Sequence, residues 1–346
     1  MQGGSLMKHR KSKIPFLFLF SLCCILVFCL CTQTAESMAA AKTPLERHGR
    51  LKVSGSHLVN DRDEIVQLKG ISTHGLSWYP QYVNKKAFQN LRDKWGVQVI
   101  RLAMYTAEYN GYCTGSAQNK KDLETLIDKA VGFCDDLGLY VIIDWHILSD
   151  SNPNTYKKQS KAFFKKLAKK YAGHKNIIYE ICNEPNGNTT WTQIRSYAKT
   201  IIRTIRQYDK HGVIIVGTPT WSQDVDTAAA NSIKGKNIMY AFHFYAATHT
   251  ESYRQKLQAA VNAGLAVFVS EFGICEASGS GRIDQSEADK WMQLLDQNKI
   301  GWVAWNLSNK NETCALINSS CSKTYGWKRS DLSETGRWVF DMLNQR

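Results

Sequence analysis

The chain has 346 residues, 43% of them hydrophobic and 11% aromatic, which is ample for one large core, and a formal net charge of +14. That basic balance arrives without a basic-aromatic RNA motif, zinc-finger spacing or a Lys/Arg-rich helix, so no nucleic-acid partner is expected; the excess fits solubility and loose attraction to acidic material such as pectin. No Cys-x-x-Cys or His-x-x-x-His spacing suggests a metal.

The first forty residues differ from the rest. Lys8, Arg10, Lys11 and Lys13 precede the uncharged run 14–31, and small residues follow around Ser37 to Ala41. A basic region, an apolar region and a small-residue exit predict a secretory signal over residues 1–40, cut between Ser37 and Ala40. The run is also just long enough to span a membrane, so retention as an anchor is the alternative. Removing residues 1–40 takes away four basic residues and one acidic one and leaves a net charge of +11. Four of the ten cysteines leave with it. The other six are Cys113, Cys134, Cys182, Cys275, Cys314 and Cys321, an even number that permits up to three disulfides in a secreted chain. Cys314 and Cys321, in one polar loop, are the expected local pair, whereas Cys134 and Cys182 read as buried thiols.

Downstream, residues 41–346 repeat one unit: an apolar strand, a polar loop, an amphipathic helix. Strands are predicted at Val66–Ser72, Val97–Met104, Tyr140–Asp144, Ile177–Ile181, Val213–Gly217, Met239–Phe244, Ala266–Ser270 and Gly301–Trp305. The clearest helices between them are Lys121–Leu137, Tyr156–Tyr171 and Trp191–Tyr208, with Gly138, Gly173, Gly212 and Gly264 placed to end helices. Eight strands alternating with helices predict a single-domain α/β fold, the (β/α)8 TIM barrel, about 300 residues long with room for loops. A doubly wound sheet is the alternative, but no G-x-G-x-x-G phosphate loop supports it.

In such a barrel the site gathers at the C-terminal strand ends. Those ends carry His74 and Trp78, Arg101 and Tyr105, then Asp144, Trp145 and His146, followed by Asn183 and Glu184, Trp221, His243 and Tyr245, Glu271, and Trp305. Glu184 and Glu271 each close an apolar, β-branched run that Pro185 or Gly273 then stops. Either glutamate alone would read as a solvated turn residue, but two at one end of a barrel suggest carboxyl groups facing each other across a pocket. Glycosidic cleavage needs one protonated and one ionised carboxyl group, with pKa values pushed apart by their surroundings. Arg101 and Tyr245 suit the ionised one, and Trp faces suit pyranose rings.

The stretches Ser72–Trp78, Ile100–Tyr105, Val141–His146, Tyr179–Pro185, Gly217–Gln223, Ala241–Tyr245, Val269–Gly273 and Trp305–Thr313 together resemble glycoside hydrolase family 5, in particular its secreted bacterial-type endoglucanases. The resemblance implies a retaining endo-1,4-β-glucanase acting on β-1,4-glucan, with neither cofactor nor metal. It implies Glu184 as acid/base and Glu271 as nucleophile, the latter held by Arg101 and Tyr245. Asn183 would bond the sugar's 2-hydroxyl, His146 and His243 would line that subsite, and Trp305 would be its floor. His74, Trp78, Lys310 and Glu312 would bind the non-reducing side and Trp221 the leaving-group side. Mannanases, xylanases and glucosidases share this equipment, and a catalytically dead sugar-binding barrel is the answer from another class. The enzyme is expected to be a secreted monomer without stable membrane association and, lacking a cellulose-binding module, to favour soluble or amorphous glucan. The long Cys-rich leader and the sequons at Asn188, Asn306, Asn311 and Asn318 depart from the bacterial members and suggest a eukaryotic secretory route, although Asn306 should be too buried to carry a glycan.

Overall fold

The computed structural model describes residues 1–4 and 42–345. The apolar run 14–31, read as a secretory signal, lies outside the described residues. Residues 1–4 carry no helix or strand. From Lys42 onward the chain forms one compact unit. It begins with a short helix, α1 (Pro44–His48), whose Thr43 cap exchanges bonds with Glu46. An antiparallel hairpin follows, β1 (Lys52–Ser54) and β2 (His57–Val59). Neither was legible as a repeat unit, because both lie outside the strand–helix alternation.

Eight parallel strands then close into a barrel: β3 (Lys69–Thr73), β4 (Val99–Tyr105), β5 (Tyr140–His146), β6 (Ile177–Glu180), β7 (Val213–Val216), β8 (Ile238–Tyr245), β9 (Val267–Gly273) and β10 (Trp302–Leu307), with β10 pairing to β3. Eight expected strands are present, shifted by up to three residues at their ends. Around them lie α2 (Lys85–Trp95), α3 (Ala117–Leu137), α4 (Lys157–Tyr171), α5 (Trp191–Arg206), α6 (Val225–Ala230), α7 (Glu251–Asn262), α8 (Gln285–Gln297) and α9 (Glu334–Asn344). Local chemistry sets their ends. Ser116 caps α3 through its hydroxyl, and Gly138 closes it at φ 63°, a left-handed position that only glycine takes at no steric cost. Gly264 has φ 85° just past α7, whereas Gly173 and Gly212 are not left-handed.

Strand alternation sorts the side chains into layers. On β4, Ile100, Leu102 and Met104 pack outward against the helices, while Val99, Arg101, Ala103 and Tyr105 point into the barrel. Near the N-terminal strand ends the interior is filled with Val99, Tyr140, Ile142, Ile215 and Phe268, joined by Leu51 and Leu58 from the hairpin segment. Higher up, the filling becomes polar: Arg101, Asp144, Glu180, His243 and Ser270 are all buried. The barrel is therefore sealed by hydrocarbon at one end and opens into chemistry at the other.

Candidate active site

Glu184 follows β6 by four residues, and Glu271 stands within β9. Reaching the pocket depends on a departure from regular pairing. Ala241 of β8 pairs with Phe268, but His243 pairs with Glu271, so β9 carries one extra residue between them. This bulge lets consecutive Ser270 and Glu271 both face the interior, which strict alternation forbids. The result is that a carboxylate oxygen of Glu184, one of Glu271 and a ring nitrogen of His243 lie within 4.8 Å of one another. Glu184 is 8% exposed and Glu271 4%.

The two carboxyl groups sit in different fields. Glu271 accepts bonds from Arg101 Nη1 (3.0 Å) and from the Tyr245 hydroxyl (2.8 Å). Burial pushes its pKa up, but the charges of His243 and Arg101 and the Tyr245 bond outweigh burial and hold it below the ordinary value. Glu184 is raised to about 6, first by burial and then by the negative charge of Glu271. One carboxyl is held ionised and its neighbour is poised to keep a proton.

Behind them is a buried network built around Arg101. Its guanidinium donates to both Glu180 oxygens (2.8 and 3.2 Å) and to Asn183 Oδ1 (2.7 Å), and it lies 3.0 Å from Asp144 Oδ2. Burial opposes ionisation of Glu180, but Arg101 and the bonds to His243 and Arg101 hold it at about 2. Asp144 is pushed upward by burial, and its Oδ1 has no partner among the described residues. His243 joins the network to Glu184: its Nδ1 lies 2.9 Å from Glu184 Oε1 and its Nε2 2.9 Å from Ser270 Oγ, which donates to Glu180 (2.7 Å). Burial lowers the His243 pKa, but bonds to Glu180 and Glu184 carry it up to about 9. Both ring nitrogens are thus engaged within the protein.

Above the dyad opens a cleft of roughly 830 Å³. Every residue given a role from the sequence lines it except Arg101 and Asn183, which are fully buried behind its wall. His146 stacks on Trp305 at 5.4 Å, hydrogen-bonds Asp144 through Nδ1 at 2.6 Å and lies 3.2 Å from the Asn183 amide. Burial first, and then Arg101, bring its pKa down to about 3, so the ring is neutral. Trp78 meets Tyr105 edge-on at 4.8 Å. Lys310 and Glu312 are ion-paired at 2.6 Å, and Glu312 also accepts from Asn306 (2.8 Å). Asn306 is fully buried, as its sequon position suggested.

Two corrections follow. Cys314 is bonded to Cys275, 39 residues away, rather than to Cys321, which keeps a free thiol along with Cys113, Cys134 and Cys182. Loop separation favoured the near pair, but Cys321 packs on the helix-side core while Cys275 and Cys314 meet beneath Trp305 and Tyr245. The sequence reading gave Asp144 no role at its strand end and missed Glu180 and Ser270. Asp144 and Glu180 share strand parity with His146 and Glu184, a signal that could have found them; Ser270 has the wrong parity until the bulge is known. Gln223, His249 and Tyr253 also line the cleft and were missed.

A closed (β/α)8 barrel with two carboxyl groups of opposed acidity at its mouth, flanked by aromatic platforms, defines a glycoside hydrolase. Residues 59–311 match the family described as cellulase (glycosyl hydrolase family 5). The chain is 45% identical over 302 residues to endoglucanase A of Butyrivibrio fibrisolvens, covering 87% of this chain and 70% of that one. It is 47% identical over 328 residues to an endoglucanase of Clostridium saccharobutylicum, covering 94% and 71%. The catalytic domain of Thermobifida fusca endoglucanase Cel5A, solved in complex with cellotetraose, superposes with a TM-score of 0.82 at 38% identity, covering 88% of this chain and 100% of that one. The chain belongs to the cellulase family, glycosyl hydrolase family 5.

Proposed function

We propose that the protein is a secreted endo-1,4-β-glucanase that hydrolyses internal bonds of cellulose and related β-glucans by retaining double displacement. The observation that carries the reading is the dyad, with oxygens within 4.8 Å, Glu271 held ionised and Glu184 raised to about 6. Retaining enzymes keep their carboxyl groups about 5 Å apart, whereas inverting ones leave room for an intervening water.

In the first step Glu184 gives its proton to the glycosidic oxygen while Glu271 attacks the anomeric carbon, forming a glycosyl ester and freeing the leaving sugar. Glu184, now ionised, then takes a proton from water as its oxygen displaces Glu271. Arg101 and Tyr245 keep the attacking carboxylate charged and oriented. Asn183, whose Oδ1 accepts from Arg101 and whose amide donates to the Ile147 carbonyl, would bond the sugar's 2-hydroxyl. His146 and Trp305 form the platform under that sugar. His74 and Trp78 take the next units on the non-reducing side, with the Lys310–Glu312 pair at the rim and Trp221 on the leaving-group side. Glucan as substrate is supported by the endoglucanase relatives and by the cellotetraose complex of the Thermobifida domain.

Residues 41–346 would be the mature, monomeric catalytic domain, released after removal of residues 1–40. The test compares that protein on carboxymethylcellulose, xylan and mannan. Rapid viscosity loss on the glucan, with cellobiose and cellotriose as products, is expected; dominant action on xylan or mannan would overturn the substrate. Glu271→Gln should abolish turnover with the circular dichroism spectrum intact, and substantial residual activity would remove Glu271 as nucleophile.

A further inference from the structure

Between β7 and α6 the backbone does what it avoids elsewhere. Thr220, Trp221 and Ser222 have φ of 54°, 53° and 57°, three successive left-handed residues with no glycine among them. A side chain with a Cβ crowds the following carbonyl there, and left-handed non-glycine residues ordinarily occur singly. Such a run persists only where its surroundings over-determine it.

Besides bonds within the turn, such as Ser222 N–H to the Thr218 carbonyl (3.1 Å) and Thr220 Oγ1 to Asp224 Oδ2 (2.6 Å), the turn is tied to one other segment. Ser222 Oγ donates to the Asn183 carbonyl (2.6 Å) and accepts from the Thr218 N–H (3.3 Å). The Trp221 N–H donates to the Pro185 carbonyl (3.0 Å). At the end of β7, Gly217 is pressed against the same chain: a Cβ there would lie 2.2 Å from the Cys182 carbonyl oxygen and 2.9 Å from that of Asn183. The turn therefore hangs on residues 182–185, the segment that carries Glu184. Trp221, 45% exposed, is the ring it presents to the cleft.

We propose that Ser222 is a positioning residue whose hydroxyl, bridging Thr218 and Asn183, holds the left-handed turn so that Trp221 keeps a fixed register to Glu184. The inference rests on Glu184 being the acid/base. A sugar stacked on Trp221 then has its oxygen delivered to the Glu184 carboxyl, as leaving group in the first step and as acceptor in the reverse. In transfer to an acceptor, the acceptor hydroxyl gives its proton to Glu184, its oxygen bonds the anomeric carbon, and the Glu271 carboxylate departs. Attack by water needs no platform. Ser222 therefore governs the steps that have a sugar on that side and leaves hydrolysis of the ester alone.

The experiment uses 2,4-dinitrophenyl β-cellobioside, whose activated leaving group makes breakdown of the glycosyl ester limiting, with cellobiose as added acceptor. In Ser222→Ala, kcat with water alone should stay within about twofold, while the rate constant for transfer to cellobiose and kcat/KM on cellotetraose fall about tenfold. Ser222→Gly guards against misfolding, since glycine takes the positive φ freely; lacking the hydroxyl, it should show the same split. Unchanged transfer and cellotetraose cleavage in both variants would overturn the proposal alone. So would a parallel fall in all three rates, the mark of a merely structural role. Glu184→Gln should lose cellotetraose cleavage yet still release dinitrophenol in the first turnover, because that leaving group needs no proton; cellotetraose cleavage at the wild-type rate would overturn the acid/base reading and the proposal with it.

Discussion

Arg101 shows how one buried cation organises an active site. Fully buried, it meets Glu180, Asp144 and Glu271 and orients Asn183. Its charge holds Glu271 ionised, while Glu180 compensates for burying it. Glu180→Gln leaves that cation under-compensated, and breaking a buried pair of this kind typically costs about 3 kcal/mol. Denaturant unfolding should show a loss of that order. The pH dependence of stability carries the sign. Glu180 sits at about 2 in the fold against an ordinary 4.5, so its contribution is complete above 4.5 and lost as pH falls towards 2. Melting temperatures between pH 5 and 2.5 should therefore fall less steeply in Glu180→Gln than in the wild type. In the proposed mechanism Glu184 must be protonated and Glu271 ionised. The kcat/KM profile should be a bell whose basic limb falls through about pH 6, with its acid limb below the ordinary carboxylate range. A basic limb near pH 9 would instead assign it to His243. Glu184 and Glu271 were legible as carboxylates ending apolar runs. Their opposed acidities were not, since those depend on distance to Arg101, His243 and each other.

At the scale of elements, the disulfide and the bulge matter most. Cys275 lies just past β9, which carries Glu271, and Cys314 lies in the loop after β10 that carries Lys310 and Glu312. The bond closes a separation of 39 residues, which chain entropy values at up to roughly 4 kcal/mol. Cys314→Ser should lower unfolding free energy by about 2–4 kcal/mol and raise KM for cellotetraose more than it lowers kcat, because Lys310 and Glu312 of that loop line the cleft. An unchanged KM would show that the loop holds its place without the bond. Strands β3 to β10 were legible because β-branched runs bounded by Gly, Pro and polar loops have one reading. The extra residue in β9 was not, because a bulge is defined by the partner strand and leaves no mark in its own. The same applies to Cys275–Cys314: sequence separation points to a near partner, whereas the route of the loop decides the real one.

For the molecule as a whole, closure of the barrel brings side chains from strands up to 170 residues apart into one network, as Arg101 and Glu271 are. The sequence by itself determined the alternation of strands and helices, the residue types at one end of every strand, and the family. These follow from periodicity, from the φ preferences of Pro and Gly and from side-chain chemistry, all of which are local. Only the tertiary structure decided which carboxyl keeps a proton, how Ser270 and Glu271 come to face the same way, which cysteine Cys314 joins, and that Trp221 rides a left-handed turn tied to the Glu184 segment. Each of those rests on the energy of charges, bonds and contacts between distant residues, and that energy depends on separation and burial, which exist only once the barrel has closed.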